Sequence, residues 1–553
     1  MSVELALAVV GTAELCLQYG KKLVQFYKTV KGAHKDLEGK ILQMESLWYK
    51  TNTQLRIMNR VSSALGEDQA RVQDDLLERL AQSLSTALRK IESTFGKPSA
   101  SASASASDIG TEQPPGPSKF NPLKYAFIKE SLDRTLRELE QWHRCYDPTW
   151  FLITLISNNL IDQELSTMRR QQQQQQSSGV DTTLKPVSAV SQLRAILHGG
   201  QPRADLHIAL DGAQFDMSKS LGIKFTNIRT FTRSAASSKG FIVDTIQCTQ
   251  YTDIPAARSD AESLARTLKT VDPETFGLLR CQGLVKARNE KTNQLEAIHL
   301  LFRAPSGSPK SLREELLSTK PPSLTRRLDI AKSIANSVSF IHVCNLVHKN
   351  LRPESILSFL PDSNTNSPSP IPVFLLGFDG FRTVHYQTLQ LGDAAFERNL
   401  YRHPTRQGPK AQAKYTMQHD IYSLGVCLLE LGLWRSFITY NPPETETATG
   451  PQKATPSPHP DVAALGLDMP ALDTLNWPEQ TRFAIKERLV HMARAELPAC
   501  MGERYTAATV ACLTCLDPDS VDFMLGGARD EDGVLIGTCF IEKVIMGLGQ
   551  ISM

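Results

Sequence analysis

The sequence predicts a multi-domain protein in which an all-α helical bundle precedes an α+β domain with two lobes. Three observations lead to this fold class. Apolar side chains recur at helical spacing over residues 1–95, low-complexity segments interrupt the chain, and strand-like runs appear only after residue 200. A chain of 553 residues is too long for one compact core, so two or three domains are expected.

The first 165 residues are predicted to form the helical bundle. Apolar positions that recur every three or four residues predict an amphipathic first helix. That stripe consists of Leu5, Ala8, Thr12, Leu15, Tyr19, Leu23, Phe26 and Val30. A second stripe begins at Leu37, and the run LLERLAQSLSTALRKI predicts a third helix. Pro148 is expected to end or kink the helix that contains ELEQWHRCYD and to begin the next one.

Three segments of biased composition are predicted to lie outside regular structure. Residues 96–119 alternate serine with alanine and then turn to proline, which predicts a flexible loop inside the bundle. Residues 166–200 include six consecutive glutamines and are predicted to be a linker. The Pro/Thr-rich residues 440–462 predict a mobile loop in the second domain.

The α+β domain is predicted to cover residues 201–553, with an N-lobe at about 210–305 and a C-lobe at about 306–525. KGFIVDTIQC and NQLEAIHLLFRA read as strands because they hold short apolar runs rich in β-branched residues. SLTRRLDIAKSIANSVSFIHVCN predicts a helix, and the strongly apolar DIYSLGVCLLELGLW predicts a buried one. Strands followed by helices are typical of the α+β class.

Composition excludes several functional classes. A net charge of +3 without an arginine-rich cluster gives no reason to expect a nucleic-acid partner. The sequence has no signal-peptide pattern and no run of about 20 apolar residues, so a cytoplasmic location is expected. Ten cysteines agree with a reducing compartment. Cys512 and Cys515 form a CxxC pair, for which buried helix cysteines and half of a zinc site are the two interpretations.

A short stretch in the second domain resembles the catalytic loop of protein kinases. Residues 346–357 read LVHKNLRPESIL, and the family pattern is H-R-D-L-x-x-x-N. His348 matches this pattern, whereas Asn350 stands at the catalytic-base position and Ser355 at the metal-binding amide position. Arg352 either contacts a phosphate or is a solvated surface arginine. A chance loop is the alternative, but DIYSLGVCLLELG follows at the expected distance.

Other positions of the kinase resemblance are degenerate in the same way. In VFLLGFDGFR, Gly377 stands where the family has the metal-binding aspartate, and Asp379 stands at the final glycine of D-F-G. The strand GFIVDTIQC has Thr245 or Gln247 where the family has a lysine, and no glycine-rich loop precedes it. Glu262 matches the glutamate that pairs with that lysine, so its partner is expected to be absent.

Two retained positions of the resemblance are structural. Asp420 opens DIYSLGV, and the resemblance implies that this aspartate holds the catalytic-loop backbone from below; Gly425 belongs to the same motif. The resemblance covers about residues 210–520 and implies a pseudokinase with no catalytic residue, no metal and no required cofactor. Weak ATP binding stays open. An active atypical protein kinase that binds ATP is the first alternative function.

The helical region carries a second resemblance. Its aromatic-rich corner, YDPTWF, is similar to that of the fungal HeLo domain, the prion-inhibition and propagation domain of HET-s-like proteins. The corner consists of Tyr146, Asp147, Pro148, Trp150 and Phe151. The resemblance covers about residues 1–165 and implies a fungal protein. A helical bundle followed by a pseudokinase also resembles the architecture of mixed lineage kinase domain-like proteins.

These resemblances imply a regulatory role in incompatibility-like fungal cell death. The N-terminal helix would oligomerise or enter membranes on activation, and its candidate residues are Leu5, Leu7, Val9, Val10 and Leu15. The alternative for these residues is the bundle core, where they are expected to lie at rest. Implied partners are further copies of the chain, an upstream protein activator and anionic lipids, with possible recruitment to the plasma membrane. An interaction scaffold without membrane activity is the second alternative function.

Overall fold

The structure is a computed structural model that divides into two compact units, Met1–Ser191 and Gln192–Met553. Each unit is described by itself. The described residues are 3–30, 35–95, 122–153, 155–156, 158–175, 208–212, 215–232, 240–249, 252–269, 271–289, 291–318, 320–361, 371–378, 382–383, 395–407, 414–441, 455–459, 477–520, 522–523 and 533–551. The predicted loop at 96–119 lies outside them.

The described part of the first unit is helical, as the sequence predicts. Its five main helices are α1 (Val3–Thr29), α2 (Lys35–Val61), α3 (Glu67–Phe95), α4 (Pro122–Leu152) and α5 (Asn159–Gln175). Helix α1 runs parallel to α3, since Thr12 hydrogen-bonds Asp74 and Cys16 hydrogen-bonds the Leu77 carbonyl. The core is a set of buried aliphatic and aromatic side chains contributed by all five helices.

The buried face of α1 coincides only in part with the predicted stripe: Leu23 and Val30 are buried, whereas Ala8 and Leu15 are exposed. The residues that face the core are small in the first half of the helix: Val9, Ala13, Cys16 and Gly20, followed by Leu23 and Tyr27. A Cβ at Gly20 would lie 1.9 Å from the Trp48 ring, so α2 approaches α1 at this point. Close approach of the neighbouring helices therefore decides which face is buried, and it leaves Leu15 exposed.

Two helices in the first unit run past a predicted boundary. Helix α4 continues through Pro148 to Leu152, and α5 does not begin until Asn159. Pro148 removes only one backbone hydrogen bond close to the end of α4, and burial of its neighbours Tyr146 and Trp150 holds the last turn in place. Helix α5 also extends into the predicted linker as far as Gln175.

The second unit opens with a five-stranded antiparallel sheet. Its strands are β1 (Leu221–Gly222), β2 (Arg229–Thr232), β3 (Gly240–Gln247), β4 (Cys281–Arg288) and β5 (Leu295–Arg303), in the order β1-β2-β3-β5-β4. Helix α6 (Ile254–Lys269) connects β3 to β4. The two strands that the sequence predicts are β3 and β5, and they pair from Phe241 with Arg303 to Gln247 with Ala297.

Most of the remaining described residues are helical. The α-helices longer than four residues are α7 (Leu312–Leu316), α8 (Leu324–Val343), α9 (Met417–Leu433), α10 (Glu479–Met501), α11 (Glu503–Leu513) and α12 (Val534–Phe540). Helices α8 and α9 confirm the two helices that the sequence predicts here. All but two of the α9 residues are buried, which confirms its prediction as a core helix.

Short strands connect these helices. They are β6 (Ser308–Ser311), β7 (Leu346–Val347), β8 (Ile356–Leu360), β9 (Val373–Leu375), β10 (Arg382–Thr383), β11 (Ile438–Asn441) and β12 (Thr455–Pro458). Strand β8 pairs with β6 and β9, and β7 pairs with β10. Strands β11 and β12 pair with each other, so the predicted mobile loop at 440–462 is regular at both of its described ends.

Candidate functional site

The stretch at 346–355 comprises β7 and the loop that leads to β8, and a buried carboxylate binds its backbone. Asp420, in the first turn of α9, is fully buried. Its Oδ2 accepts the backbone N–H of His348 at 2.7 Å, and its Oδ1 accepts the backbone N–H of Lys349 at 2.9 Å. The Tyr415 hydroxyl donates to the same carboxylate at 2.7 Å. Asp420 therefore fixes the backbone of this loop at the point where Lys349 adopts a left-handed φ of 63°.

The electrostatic surroundings of Asp420 keep it ionised. Burial alone would raise the pKa of the Asp420 carboxyl, but the hydrogen bond with His342 and the other polar groups around the carboxylate together outweigh burial and lower the pKa. The hydrogen bond from Tyr415 acts in the same direction. A buried carboxylate that accepts this many hydrogen bonds is a structural anchor rather than a reacting group.

The side-chain polar atoms of Asn350 and Ser355 are engaged in hydrogen bonds with Arg352 and Gly377. The Asn350 Nδ2 donates to the Gly377 carbonyl at 3.1 Å, and its Oδ1 accepts from Arg352 Nε at 2.9 Å. The Ser355 hydroxyl accepts the Arg352 N–H and donates to the Arg352 carbonyl. Arg352 is 8% exposed, so it is not the solvated surface arginine that the sequence left open.

The segment around Gly377 is held by a residue that the sequence analysis missed. Asp244 of β3 is 1% exposed, and its Oδ2 accepts the N–H groups of Gly377 and Phe378, both at 2.8 Å. The His348 Nε2 donates to the Leu376 carbonyl at 2.9 Å. A charged residue inside the apolar strand FIVDTI was the available signal, since a buried charge needs partners.

Gly377 meets both steric requirements for glycine, a left-handed φ of 84° and a close neighbour. A Cβ there would lie 2.8 Å from Ser355 Cβ and 3.2 Å from Asn350 Nδ2. We expect Gly377→Ala to lower the free energy of unfolding of this unit by about 2–4 kcal/mol, from backbone strain and crowding together.

Urea unfolding of the full chain measures this loss, and Gly502→Ala is the matched control. Gly502 has a φ of 81°, but a Cβ there would meet nothing within 4 Å, so it reports the backbone term alone. Equal losses for the two variants would show that crowding at Gly377 contributes nothing.

The cleft between β3 and the 350–355 segment is nearly filled. Its cavity volume is about 10 Å³, which is roughly the room that one water molecule needs. The lining residues are Asn227, Ile228, Asp244, Asn350, Arg352, Glu354, Ser355 and Gly377. Small-molecule sites usually measure about 300–1,000 Å³, so this cavity is far smaller than a typical small-molecule site.

Glu262 has a partner, contrary to the expectation from the sequence. Lys286 of β4 places its Nζ 2.9 Å from Glu262 Oε1, and Arg258 of α6 lies 3.0 Å from the same oxygen. Burial opposes ionisation of Glu262, but the hydrogen bonds from Lys286 and Arg258 lower its pKa. The lysine that pairs with Glu262 lies on β4, whereas the kinase resemblance places it on β3.

The two β3 residues that the sequence proposed for the lysine position do not reach the cleft segment. The Thr245 hydroxyl lies 2.9 Å from His299 Nδ1 on the neighbouring strand β5, and Gln247 is exposed. Asp244, which points the opposite way because side chains alternate along a strand, is the residue that contacts Gly377. Asp379 lies outside the described residues.

A buried arginine cluster lies behind the cleft and was also missed. Arg313 of α7 is fully buried, and its guanidinium pairs with Glu354 at 3.0 Å and Glu430 at 2.8 Å. The Tyr401 hydroxyl also contacts Arg313 and donates to Glu430. Burial favours the neutral form of Glu354, but the charges of Arg313 and Arg352 lower its pKa. For Glu430, burial prevails and raises the pKa.

Gly425 and the CxxC pair belong to one packing contact. A Cβ at Gly425 would lie 2.9 Å from Cys512 Cβ, so α9 and α11 touch here. Cys512 and Cys515 are buried, and the Cys515 thiol donates to the Gln418 carbonyl. Burial raises the pKa of both thiols. No group of three or more metal-ligating side chains occurs in the described part of the chain.

In the first unit, the aromatic corner is a structural joint. All five corner residues are buried. Asp147 accepts from Lys50 at 2.6 Å and from Gln54 at 2.9 Å, which ties α4 to α2. Burial alone would raise the pKa of the Asp147 carboxyl. The charge of Lys50 and the hydrogen bond with His143 act against burial, and the net result is a lowered pKa. The Tyr146 ring stacks on Trp142 with centroids 4.2 Å apart.

The candidate residues of α1 divide between core and solvent. Val9 is fully buried, Leu5 and Val10 are half-buried, and Leu7 and Leu15 are 65% and 44% exposed. The expectation that all of them pack in the bundle is therefore wrong for Leu7 and Leu15. Among the helices described, none combines the length and the apolar character that crossing a bilayer requires.

Comparison with known proteins adds no assignment. The chain matches no family model, and no curated protein is significantly similar to it.

Proposed function

We propose that the second unit is a kinase-like domain without phosphoryl-transfer activity and that it regulates the helical unit. The observation that carries this proposal is the state of the Asn350 side chain. Its amide donates a hydrogen bond to the Gly377 carbonyl, whereas a kinase base must accept the proton of a substrate hydroxyl. Ser355 uses its hydroxyl in the Arg352 turn, and the cleft leaves a cavity of about 10 Å³.

The architecture supports the kinase-like part of this proposal. An antiparallel sheet with one connecting helix precedes a mostly helical region, which fits a two-lobed arrangement. Asp420 contacts the backbone of the 348–349 segment in the way that the resemblance implies. The narrow cleft supports a domain that needs no cofactor, with weak ATP binding as the alternative, and its partner would be an upstream protein activator.

We expect the full chain to transfer no labelled phosphate from ATP to itself or to generic substrates with Mg²⁺ or Mn²⁺. Asn350→Asp alone should not rescue transfer, because Ser355 and Gly377 still replace both metal ligands. Transfer by the native chain that Asn350→Ala abolishes would favour an active atypical kinase instead.

The helical unit supplies the proposed output. Leu7 and Leu15 expose apolar surface on α1, and a Cβ at Gly11 between them would meet no neighbour within 4 Å. Exposed apolar side chains on one helix favour self-association or contact with anionic lipids. The proposal places the resting protein in the cytoplasm and its activated, oligomeric form at the plasma membrane, in fungal regulated cell death.

We expect residues 1–191 to release dye from anionic vesicles faster than the full chain. Leu7→Glu should abolish release without unfolding the unit, because the Leu7 side chain is already 65% exposed. Dye release measures the activity, and circular dichroism checks the fold.

Leu42→Glu is the matched control for this experiment, since Leu42 is 61% exposed on α2. Equal loss of release in both variants would mean that general charge matters rather than α1. A folded fragment that releases no dye even after induced dimerisation would replace the membrane proposal by the scaffold function.

A further inference from the structure

The loop between β1 and β2 is fastened to a distant part of the second unit. Phe225 adopts a left-handed φ of 62°, which is unfavourable for a bulky side chain. Its ring stacks on Tyr440 of β11, with centroids 4.6 Å apart and planes 28° apart. The Ser311 hydroxyl also donates to the Lys224 carbonyl at 2.9 Å. A strained backbone that persists needs compensating contacts, and this ring stacking provides one.

The Tyr440 contact continues into the cleft. The Tyr440 hydroxyl donates to Glu354 Oε1 at 2.8 Å, and the other oxygen of Glu354 lies 3.8 Å from Arg352 Nη1. Arg352 Nε then donates to Asn350 Oδ1 at 2.9 Å. These contacts connect the aromatic pair to the loop at 350–355 through side chains that are mostly buried.

The same contacts return to the sheet. Asn350 donates to the Gly377 carbonyl, and the Gly377 N–H donates to Asp244 of β3. Because Phe225 precedes β2 and β2 pairs with β3, the contacts form a closed ring that starts and ends on one sheet. Five members of the ring line the cleft: Asp244, Asn350, Arg352, Glu354 and Gly377.

We propose that this ring is a self-closing clamp, which holds the cleft shut without a ligand and opens first at the Phe225–Tyr440 stack. The two ends of the clamp differ in strength. Asp244 is 1% exposed and binds two backbone N–H groups, whereas Phe225 and Tyr440 are half-buried and meet through their rings. Opening at the aromatic end is therefore the conformational change by which this unit alters state.

The clamp also predicts how the unit responds to nucleotide. A phosphate group in the cleft would have to displace Asp244 from its two N–H donors or lie beside that carboxylate. Both outcomes are unfavourable, so ATP should leave the clamp unchanged. This inference rests on the ring geometry and does not depend on any effect of the helical unit on membranes.

Hydrogen–deuterium exchange of the full chain tests the clamp. We expect Phe225→Ala to speed exchange by about tenfold both in its own loop, 222–232, and in the distant segment 371–378. Tyr440→Phe keeps the stacking ring and loses only the hydroxyl, so it should speed exchange less. Leu221→Ala, on an exposed side chain of the same hairpin, should change neither segment.

Two results would overturn the clamp. Faster exchange of Phe225→Ala that stays within its own loop would show that the aromatic end does not control the cleft. Protection of 371–378 in the native chain on addition of Mg²⁺ and ATP would show that the cleft accepts a ligand. The ATP experiment uses the unmodified chain, so it decides the question even if Phe225→Ala fails to fold.

Discussion

Asp420→Asn is expected to lower the free energy of unfolding of the second unit by about 3–5 kcal/mol. The Asp420 carboxylate accepts from two backbone N–H groups and the Tyr415 hydroxyl, and it is fully buried. Asparagine has one acceptor oxygen and turns an amide donor towards groups that also donate, which leaves buried donors unsatisfied. Urea unfolding of the full chain measures the loss.

The pH dependence of this loss follows from the pKa of Asp420. The folded-state pKa is lowered from its ordinary value of 3.8, so the stabilisation is present at neutral pH. It is lost as the pH falls through the folded-state pKa, because protonation then favours the unfolded chain. The native chain and Asp420→Asn should therefore converge in stability as the pH falls below 3.8 and through the folded-state pKa. Asp519→Asn, at an exposed carboxylate, is the control and should lose little. A loss below about 1 kcal/mol for Asp420→Asn would contradict the anchoring role.

Arg313→Met is expected to cost a similar amount, about 3–5 kcal/mol, for a different reason. Methionine fills much of the space but leaves Glu354 and Glu430 buried without the guanidinium that pairs with both. Like charges close together in a buried site raise the pKa of at least one of them. The loss should therefore shrink as the pH is lowered from about 8 to about 5, because a proton can replace the missing positive charge.

A double-mutant cycle separates this effect from lost packing. Arg313→Met with Glu430→Gln should lose less stability than the sum of the two single variants, because the glutamine removes one uncompensated charge. Additive losses would indicate that Arg313 contributes only by filling space. Arg435→Met is the matched control, since Arg435 forms a partly exposed ion pair with Glu496 at 3.2 Å.

The sequence predicts regular elements well where periodicity and burial agree. Helix α9 is almost wholly buried, and β3 and β5 contain short apolar runs, so each was located within a few residues. The buried face in the first half of α1 was missed because close helix approach at Gly20 favours small residues there, whereas the predicted stripe includes the exposed Leu15. Periodicity indicates that a helix has an apolar face, but contacts with the neighbouring helices decide which face is buried.

Cleft residues that are neighbours in the sequence could be predicted, whereas those whose partners lie on other elements could not. His348, Asn350 and Ser355 follow one another in the chain, so a motif could find them. Asp244 and Arg313 could not be found that way, because their partners lie on other elements. The partner of Glu262 is Lys286, which follows 24 residues later and lies on β4 rather than on β3.

The Asp244–Gly377 contact also bears on how the protein is made. Its two residues are 133 positions apart, so at about 5–20 residues per second the ribosome needs roughly 7–27 s to supply the second after the first. During that interval all five strands of the main sheet have been synthesised, yet the β3 carboxylate lacks its donors. In a nascent chain paused between residues 303 and 377, the sheet is therefore complete in sequence but Asp244 of β3 has not yet met the N–H groups that it binds in the folded unit.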